Sequence, residues 1–400
     1  MPLKLPPMII EKAGKILEEH NLCNHCLGRM FAKLGKGTNE ERGRAIRLVL
    51  SMEINKEIEE PKNCEICNGI FKRMSEFLNL ALEAVKDYEF ETFRIGSRFP
   101  REILEREKEI WEKFSITTGE PINREFNREL GKMFAKATGK VPSERPDIVI
   151  ILDPFSRKVE LQVNPIYIAG RYRKLVRGIP QTPAPGFDES VATIICRIFK
   201  RYFNGKCIFK GAGREDVDVR TLGRGRPFVV EIKNPRKRNV DLKIIEEEIN
   251  SSRKVEVLEL RFINSEEAEK ILTTRHRKLY EALVYVREGI TREEVTKVVK
   301  SLRGATIRQR TPRRVLNSRS DLVRIRKVYD AEGEYLDEHH FKLKLLTDGG
   351  LYIKELISGD RGRTKPSVSE ILGKEAWCEL LDVLDVLEED ENVKGNSREV

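Results

Sequence analysis

Two Cys-x2-Cys pairs, Cys23/Cys26 and Cys64/Cys67, are the strongest constraint on how this chain can fold. A turn of this kind sets both sulfurs on one side of a tight loop. Two such turns supply four thiolates to one tetrahedral Zn2+ and leave no position open for chemistry. The stretch between them, Leu27 to Asn63, is too long for a simple zinc ribbon, so it must fold as a subdomain in its own right. A redox dithiol would need a thioredoxin-like strand–helix setting, which neither pair has. Unmetallated structural cysteines stay open as an alternative, and His20 and His25 stand by as substitute ligands. The pattern therefore predicts a structural Zn2+ held by Cys23, Cys26, Cys64 and Cys67. Cys196, Cys207 and Cys378 lie among apolar residues and are expected as buried core thiols.

The chain has 400 residues, which is long for one core and suits two or three domains. With 75 Lys+Arg against 65 Asp+Glu, its formal net charge is +10. A basic surface attracts polyanions, because Lys and Arg that displace condensed counterions release them. A Lys/Glu-rich solvated surface is the plainer alternative. No apolar run approaches the length of a membrane span, and the N-terminus lacks the apolar core of an export signal. Seven cysteines without such a signal do not suggest a disulfide framework, and the cytoplasm is the expected compartment.

Composition divides the chain into three blocks. Residues 1–70 form a zinc-binding segment that opens with a helix-like run from Met8 to His20. Residues 71–178 read as an α/β module. Apolar residues from Met74 to Val85 recur at helical spacing, further helices are expected over 103–114 and 123–137, and strands over 147–152 and 158–163. The breakers from Gln181 to Gly186 mark a linker into residues 179–400. Asp188 is expected to cap a helix whose apolar face includes Val191, Ile194, Ile195 and Ile198. Beyond it, strands at 255–263, 278–286, 322–329 and 341–346 alternate with helices at 265–272 and 291–302, so the last block reads as a mixed α+β catalytic domain.

Four basic segments run from Gly170 to Arg177, Pro235 to Arg238, Arg310 to Lys327 and Gly359 to Lys365. Glycine-bearing basic loops suit phosphate contact, and interleaved aromatics can stack unpaired bases. Together with the cysteine knuckles they favour RNA as the partner. The most distinctive stretch lies between a strand at Cys207–Lys210 and another at Phe228–Ile232. It carries Arg214, Glu215, Asp216, Asp218 and Arg220 among glycines. It lacks the third glycine and following helix of a dinucleotide fingerprint, and it has no Walker lysine. Such a loop displays charged side chains, either for chemistry or as a structural ion-pair loop.

The residues from Gly213 to Phe228 resemble the active-site loop of the archaeal and eukaryotic tRNA pseudouridine synthases of the Pus-ten type. The resemblance extends to Gly170–Arg177, Gln181-Thr182, Arg310–Val315, Leu351–Leu356, Gly359–Pro366 and the four N-terminal cysteines, and so covers nearly the whole chain. Asn317–Arg319 departs from it, being less basic than that family's pattern. The resemblance implies an N-terminal zinc-binding α/β region with a THUMP-type RNA-binding module, then a catalytic α+β domain with a central antiparallel sheet. It implies isomerisation of uridine to pseudouridine at T-loop positions 54 and 55 of tRNA, with no catalytic metal and no small-molecule cofactor.

By that resemblance Asp216, in an Arg214-x-Asp216 pattern, is the catalytic nucleophile acting on a flipped uridine. Tyr280 stacks on the base and assists proton removal, Ile353 and Leu381 form an apolar wall, and Lys354 holds Asp216 ionised. Asp218 is the rival nucleophile. A non-catalytic tRNA-binding protein and a THUMP-bearing methyltransferase or thiolase are the competing readings. The last would need a methyl-donor or ATP motif, which is absent. Nothing in the pattern demands an oligomer, so a monomer is expected.

Overall fold

The computed structural model describes residues 8–317 and 319–387. Ser318, within the Asn317–Arg319 departure, lies outside the described residues. The chain divides into two compact units, Met1–Asn164 and Pro165–Val400.

The first unit runs Met8–Glu19 (α1), Asn24–Arg29 (α2), Asn39–Glu53 (α3), Met74–Val85 (α4), Thr92–Ser97 (β1), Arg101–Lys113 (α5), Ile122–Thr138 (α6), Val141–Pro142 (β2), Ile148–Asp153 (β3) and Lys158–Val163 (β4). Its sheet has the order β2-β1-β3-β4. Alternation sets Ile148, Ile150 and Leu152 of β3 on the buried face. Helix α6 covers that face with Phe126, Leu130 and Phe134, all fully buried, and the Phe134 ring lies 4.7 Å from Phe93 of β1.

A capping box starts α3, with the Thr38 hydroxyl on the Glu41 amide and the Glu41 carboxylate on the Thr38 amide. Helices α2 and α3 cross at Gly28 and Gly43. A Cβ on Gly28 would sit 1.8 Å from the Asn39 carbonyl oxygen, and one on Gly43 would sit 1.9 Å from that of Asn24. Only glycine permits this approach, and it is the tie by which the stretch between the cysteine pairs packs onto the turn that carries Cys26. One continuous core runs from Ala13 to Leu152, so the cysteine segment and the α/β module share an interior and are not cut at residue 70.

The second unit runs Ile166–Lys174 (β5), Val191–Phe203 (α7), Lys206–Gly211 (β6), Val219–Lys233 (β7), Leu242–Asn250 (α8), Val255–Ile263 (β8), Ser265–Thr273 (α9), Arg277–Val286 (β9), Arg292–Leu302 (α10), Thr306–Arg310 (β10), Val323–Tyr335 (β11), His340–Thr347 (β12), Ile353–Ser358 (α11), Thr364–Lys365 (β13), Val368–Leu372 (α12) and Ala376–Leu387 (β14). Its sheet is 10-stranded, ordered β13-β10-β11-β12-β9-β14-β7-β5-β8, with β6 also on β7. Every pairing is antiparallel except one. Strands β14 and β7 run parallel, through Leu381↔Val219 and its neighbours. This seam joins two antiparallel halves, each with its own core cluster.

Several sequence expectations are corrected here. Residues 166–174 do not close the first block. They form β5, paired with both β7 and β8, so the division falls at Asn164/Pro165 instead of at 178. The cap of α7 is Ser190, reciprocated by Thr193, and not Asp188. Cys196 of α7 and Cys207 of β6 are joined in a disulfide and are not free core thiols. Cys378 is only partly buried, with its Sγ donating to the Leu380 carbonyl at 3.2 Å. Among the described residues no helix is long and apolar enough to cross a membrane.

Candidate active site and metal centre

The charged glycine loop is shorter than the sequence suggests. Strand β7 begins at Val219, so Ala212 to Asp218 alone connect β6 to the parallel seam. Within this turn successive acids point opposite ways. Glu215 turns inward and is buried. Its carboxylate accepts from the Tyr172 hydroxyl at 2.7 Å and 2.8 Å. Arg226 Nε approaches it to 2.8 Å, although its N–H does not align as a hydrogen bond. Gln181 Nε2 donates to the Tyr172 hydroxyl at 2.7 Å and to the Gly213 carbonyl at 2.9 Å. Burial lowers the Arg226 pKa, but the Glu215 carboxylate together with Tyr172 and Tyr280 outweighs it and the net shift is upward. From beneath, the fully buried Lys174 donates to the carbonyls of Ile179 (2.9 Å), Asp216 (2.9 Å) and Val217 (3.1 Å). Burial brings this ammonium down to about 8.

Asp216 turns outward, its side chain 39% exposed. Its Oδ2 lies 3.0 Å from Arg314 Nη1 and 3.5 Å from Lys354 Nζ. Lys354 is closer to Asp218, donating to both carboxylate oxygens at 2.8 Å. Burial raises the Asp218 carboxyl, but the Lys354 ammonium more than offsets this and holds it below the usual range. The pairing expected of Lys354 with Asp216 is thus shared with Asp218, and the nearest cation to Asp216 is Arg314. Arg314 Nε also donates to the buried Glu355 at 2.6 Å. The sequence places Arg314 in a basic run and in the Arg310–Val315 segment of the resemblance, but assigns it no role beside Asp216. Its spacing after Pro312 in the Arg310–Val315 segment was the signal for more.

Sheet register assembles the rest. On β14, Leu381 stands opposite Val219 of β7 and Ala282 of β9, and Val383 stands opposite Tyr280 of β9. Ile353 and Lys354 open α11. Arg214, Asp216, Tyr280, Ile353, Lys354 and Leu381 all line one cleft of about 280 Å3. Tyr280 is buried, which pushes its phenol up to about 12, so it stays protonated at neutral pH. That suits stacking and donation better than proton abstraction. An outward carboxylate, two cations and an apolar wall can receive a planar polar ring and attack it.

The basic segment from Gly170 to Arg177 is not an exposed RNA-binding loop. Arg171 and Lys174 are buried in β5, and Arg171 donates to the Arg224 and Val386 carbonyls at 2.8 Å and 2.6 Å. Arg177 pairs with Asp382 at 2.6 Å. These cations brace the sheet around the loop.

In the first unit the Sγ atoms of Cys23, Cys26, Cys64 and Cys67 all lie within 4.8 Å of one another, and all four residues are buried. Cys23 caps α2, its sulfur accepting from the Cys26 amide at 3.4 Å. The fully buried Arg29 donates to Cys26 Sγ at 2.8 Å and to Glu107 at 2.7 Å. Four convergent sulfurs with a buried cation beside them can hold a metal ion, the cation offsetting part of the thiolate charge.

Two family models match the chain: "Pus10, C-terminal" over residues 167–387 and "Pus10 THUMP domain, archaeal" over residues 77–153. The tRNA pseudouridine synthase Pus10 of Pyrococcus furiosus is 73% identical over 383 residues, covering 96% of this chain and 99% of that one. That of Methanocaldococcus jannaschii is 43% identical, covering 93% of each. A solved Cbf5-Nop10-Gar1 complex aligns over 56% of this chain and 60% of that one at 17% identity and a TM-score of 0.32, too loose a likeness to bear on function.

Proposed function

This chain belongs to the Pus10 family of tRNA pseudouridine synthases, and on that premise we propose that it isomerises uridine to pseudouridine at T-loop positions 54 and 55 of tRNA with Asp216 as nucleophile. The reaction breaks the C1′–N1 bond, forms C1′–C5, releases the C5 proton and returns one to N1. It involves no net redox change, so a carboxylate attacking C1′ of the ribose or C6 of the base is sufficient in kind. The uridine leaves its stack to enter the cleft. Tyr280 stacks on it and Ile353 and Leu381 wall it. Arg214 engages the RNA, Lys354 holds the Asp218 carboxyl below its usual range, and Arg314 pairs with Asp216 at 3.0 Å.

The observation that carries this reading is the single cleft shared by Arg214, Asp216, Tyr280, Ile353, Lys354 and Leu381. Asp216 is favoured over Asp218 as nucleophile because both oxygens of Asp218 are engaged by Lys354 at 2.8 Å. The four thiols hold a structural Zn2+, for which a closed all-sulfur set is the fitting donor group. The protein works as a cytoplasmic monomer. The test is to incubate unmodified tRNA transcript with the protein alone and map pseudouridine by carbodiimide-dependent reverse-transcription stops. Stops at both T-loop positions are expected. A folded protein that yields none is not this enzyme.

A further inference from the structure

Beside the catalytic cleft lies a second chamber of about 370 Å3, sharing with it the walls formed by Arg214, Tyr280, Arg319, Leu351 and Tyr352. Its cations are Arg214, Arg275, Lys278, Arg319, Arg324 and Arg326, and no carboxylate lines it. This is unlike the neighbouring cleft, where Arg314 and Lys354 are each paired with acids.

The bonds that these cations make are to neutral groups. Arg326 donates to the carbonyls of Gly349 at 3.0 Å and Ile325 at 2.7 Å. Arg324 donates to the Thr311 hydroxyl at 2.8 Å and Arg319 to the Tyr352 hydroxyl at 2.9 Å. Among the described residues none of the six makes an ion pair with a carboxylate. Lys278 is buried beside Arg226, and burial, then like charge, bring its ammonium down to about 7 against the opposing pull of the buried Glu215 carboxylate, which lies outside the chamber's lining. Crowding like charges is unfavourable unless an anion relieves it. Guanidinium groups suit tetrahedral phosphate oxygens, which they bind bidentately. A surface that meets RNA with unpaired cations beside its reaction cleft meets the backbone first.

We propose that this chamber binds a backbone phosphate of the RNA strand next to the target uridine, positioning that strand so that the uridine enters the adjoining cleft. The proposal rests on the reading of this chain as an RNA-modifying enzyme, but its test reads binding and not turnover. The probes are a tRNA T-arm oligonucleotide and copies carrying one neutral methylphosphonate at each phosphate flanking the target uridine. Affinity is measured with the full wild-type chain and with the double variant Arg275→Ala, Arg326→Ala. One methylphosphonate position is expected to weaken wild-type binding about tenfold. The double variant should weaken binding to the unmodified oligonucleotide by a similar factor and lower its salt dependence by about one to two phosphate equivalents. Methylphosphonate at the same position should then cost the variant little more.

Equal affinity of wild-type protein for every methylphosphonate copy overturns the proposal, and that arm needs no variant to fold. Additive losses also overturn it. So does competition by millimolar inorganic phosphate against wild-type protein with no effect of any methylphosphonate, which would make the chamber a free-anion site. If binding behaves as expected while no pseudouridine forms on any tRNA, the functional reading fails and the chamber stands.

Discussion

In the first unit, two short turns from distant parts of the sequence are drawn together by four buried thiols. In the second, the turn from Ala212 to Asp218 is held from within by the buried Glu215 with Tyr172, Gln181 and Arg226, and from beneath by Lys174. Both devices fix irregular backbone that carries no ladder of its own. They differ in what they depend on. The thiol cluster is a set that could hold an ion from outside the chain, and whatever strength a bound ion lends it could be removed without changing a residue. The Glu215 cluster is made of the chain's own charges, and it exists only while β5 and β7 stay in register. Structural turns can rest on an exchangeable ion. The turn that carries the outward Asp216 carboxylate is held by groups that cannot leave.

Metal removal gives the largest difference between the units. Structural zinc in small sites contributes binding free energy on the order of 10 kcal/mol coupled to folding. Denaturing metal analysis should find one zinc per chain, and strong chelation should abolish the melting of the first unit while a later transition remains. Loss of both transitions together would break the distinction.

Asp216→Ala is expected to lower single-turnover pseudouridine formation by at least about 10^4-fold, near 5.5 kcal/mol of barrier, with tRNA affinity kept. Full activity in this variant moves the role to Asp218. Arg226→Met leaves Glu215 buried without its cation. A loss of about 3–5 kcal/mol in denaturant-induced unfolding of the second unit is expected. A variant as stable as the parent would mean that the loop does not rest on this pair.

The smallest effect, taken per pH unit, is in pH dependence. Burial holds the Lys278 ammonium near 7, below its unfolded value of 10.5, so between these limits the unfolded chain binds more protons and stability rises with pH. Below about 7 both states are protonated and the slope vanishes. Lys278→Met should therefore stabilise most at and below neutral pH. Its advantage over the parent should shrink by up to about 1.4 kcal/mol per pH unit toward pH 10, read from denaturant melts at fixed salt. Parallel stability curves would show that Lys278 is charged in the folded state across this range.

Much of this was legible along the chain. The cysteine spacing alone marks a four-sulfur site, and hydrophobic period placed α5, α6, α10, β8 and β12 within a few residues. The residues named around Asp216 do line one cleft. What escaped was set by pairing across long sequence separation. Arg171 and Lys174 read as surface cations, yet β5 lies between β7 and β8 and turns them inward. Nothing local in Gly170–Arg177 reveals this, because a strand's face is decided by its partners. Cys196 and Cys207 meet because β6 runs back beside α7, which composition does not disclose.

Sequence by itself determined the chemical inventory: four thiols in two turns, a charged loop between strands, and an excess of cations. Local spacing suffices for these, since a turn or a helix face is set by residues a few positions apart. Only the tertiary structure decided which charges meet. It gave Lys354 to Asp218 and brought Arg314 to Asp216. It turned Glu215 into the core beside an Asp216 that faces out. It also left Arg275 and Arg326 in a chamber without an acid. The physical reason is that ion pairing and burial act over a few ångströms in space, and that distance is set by how the strands of the sheet align and not by the order of residues.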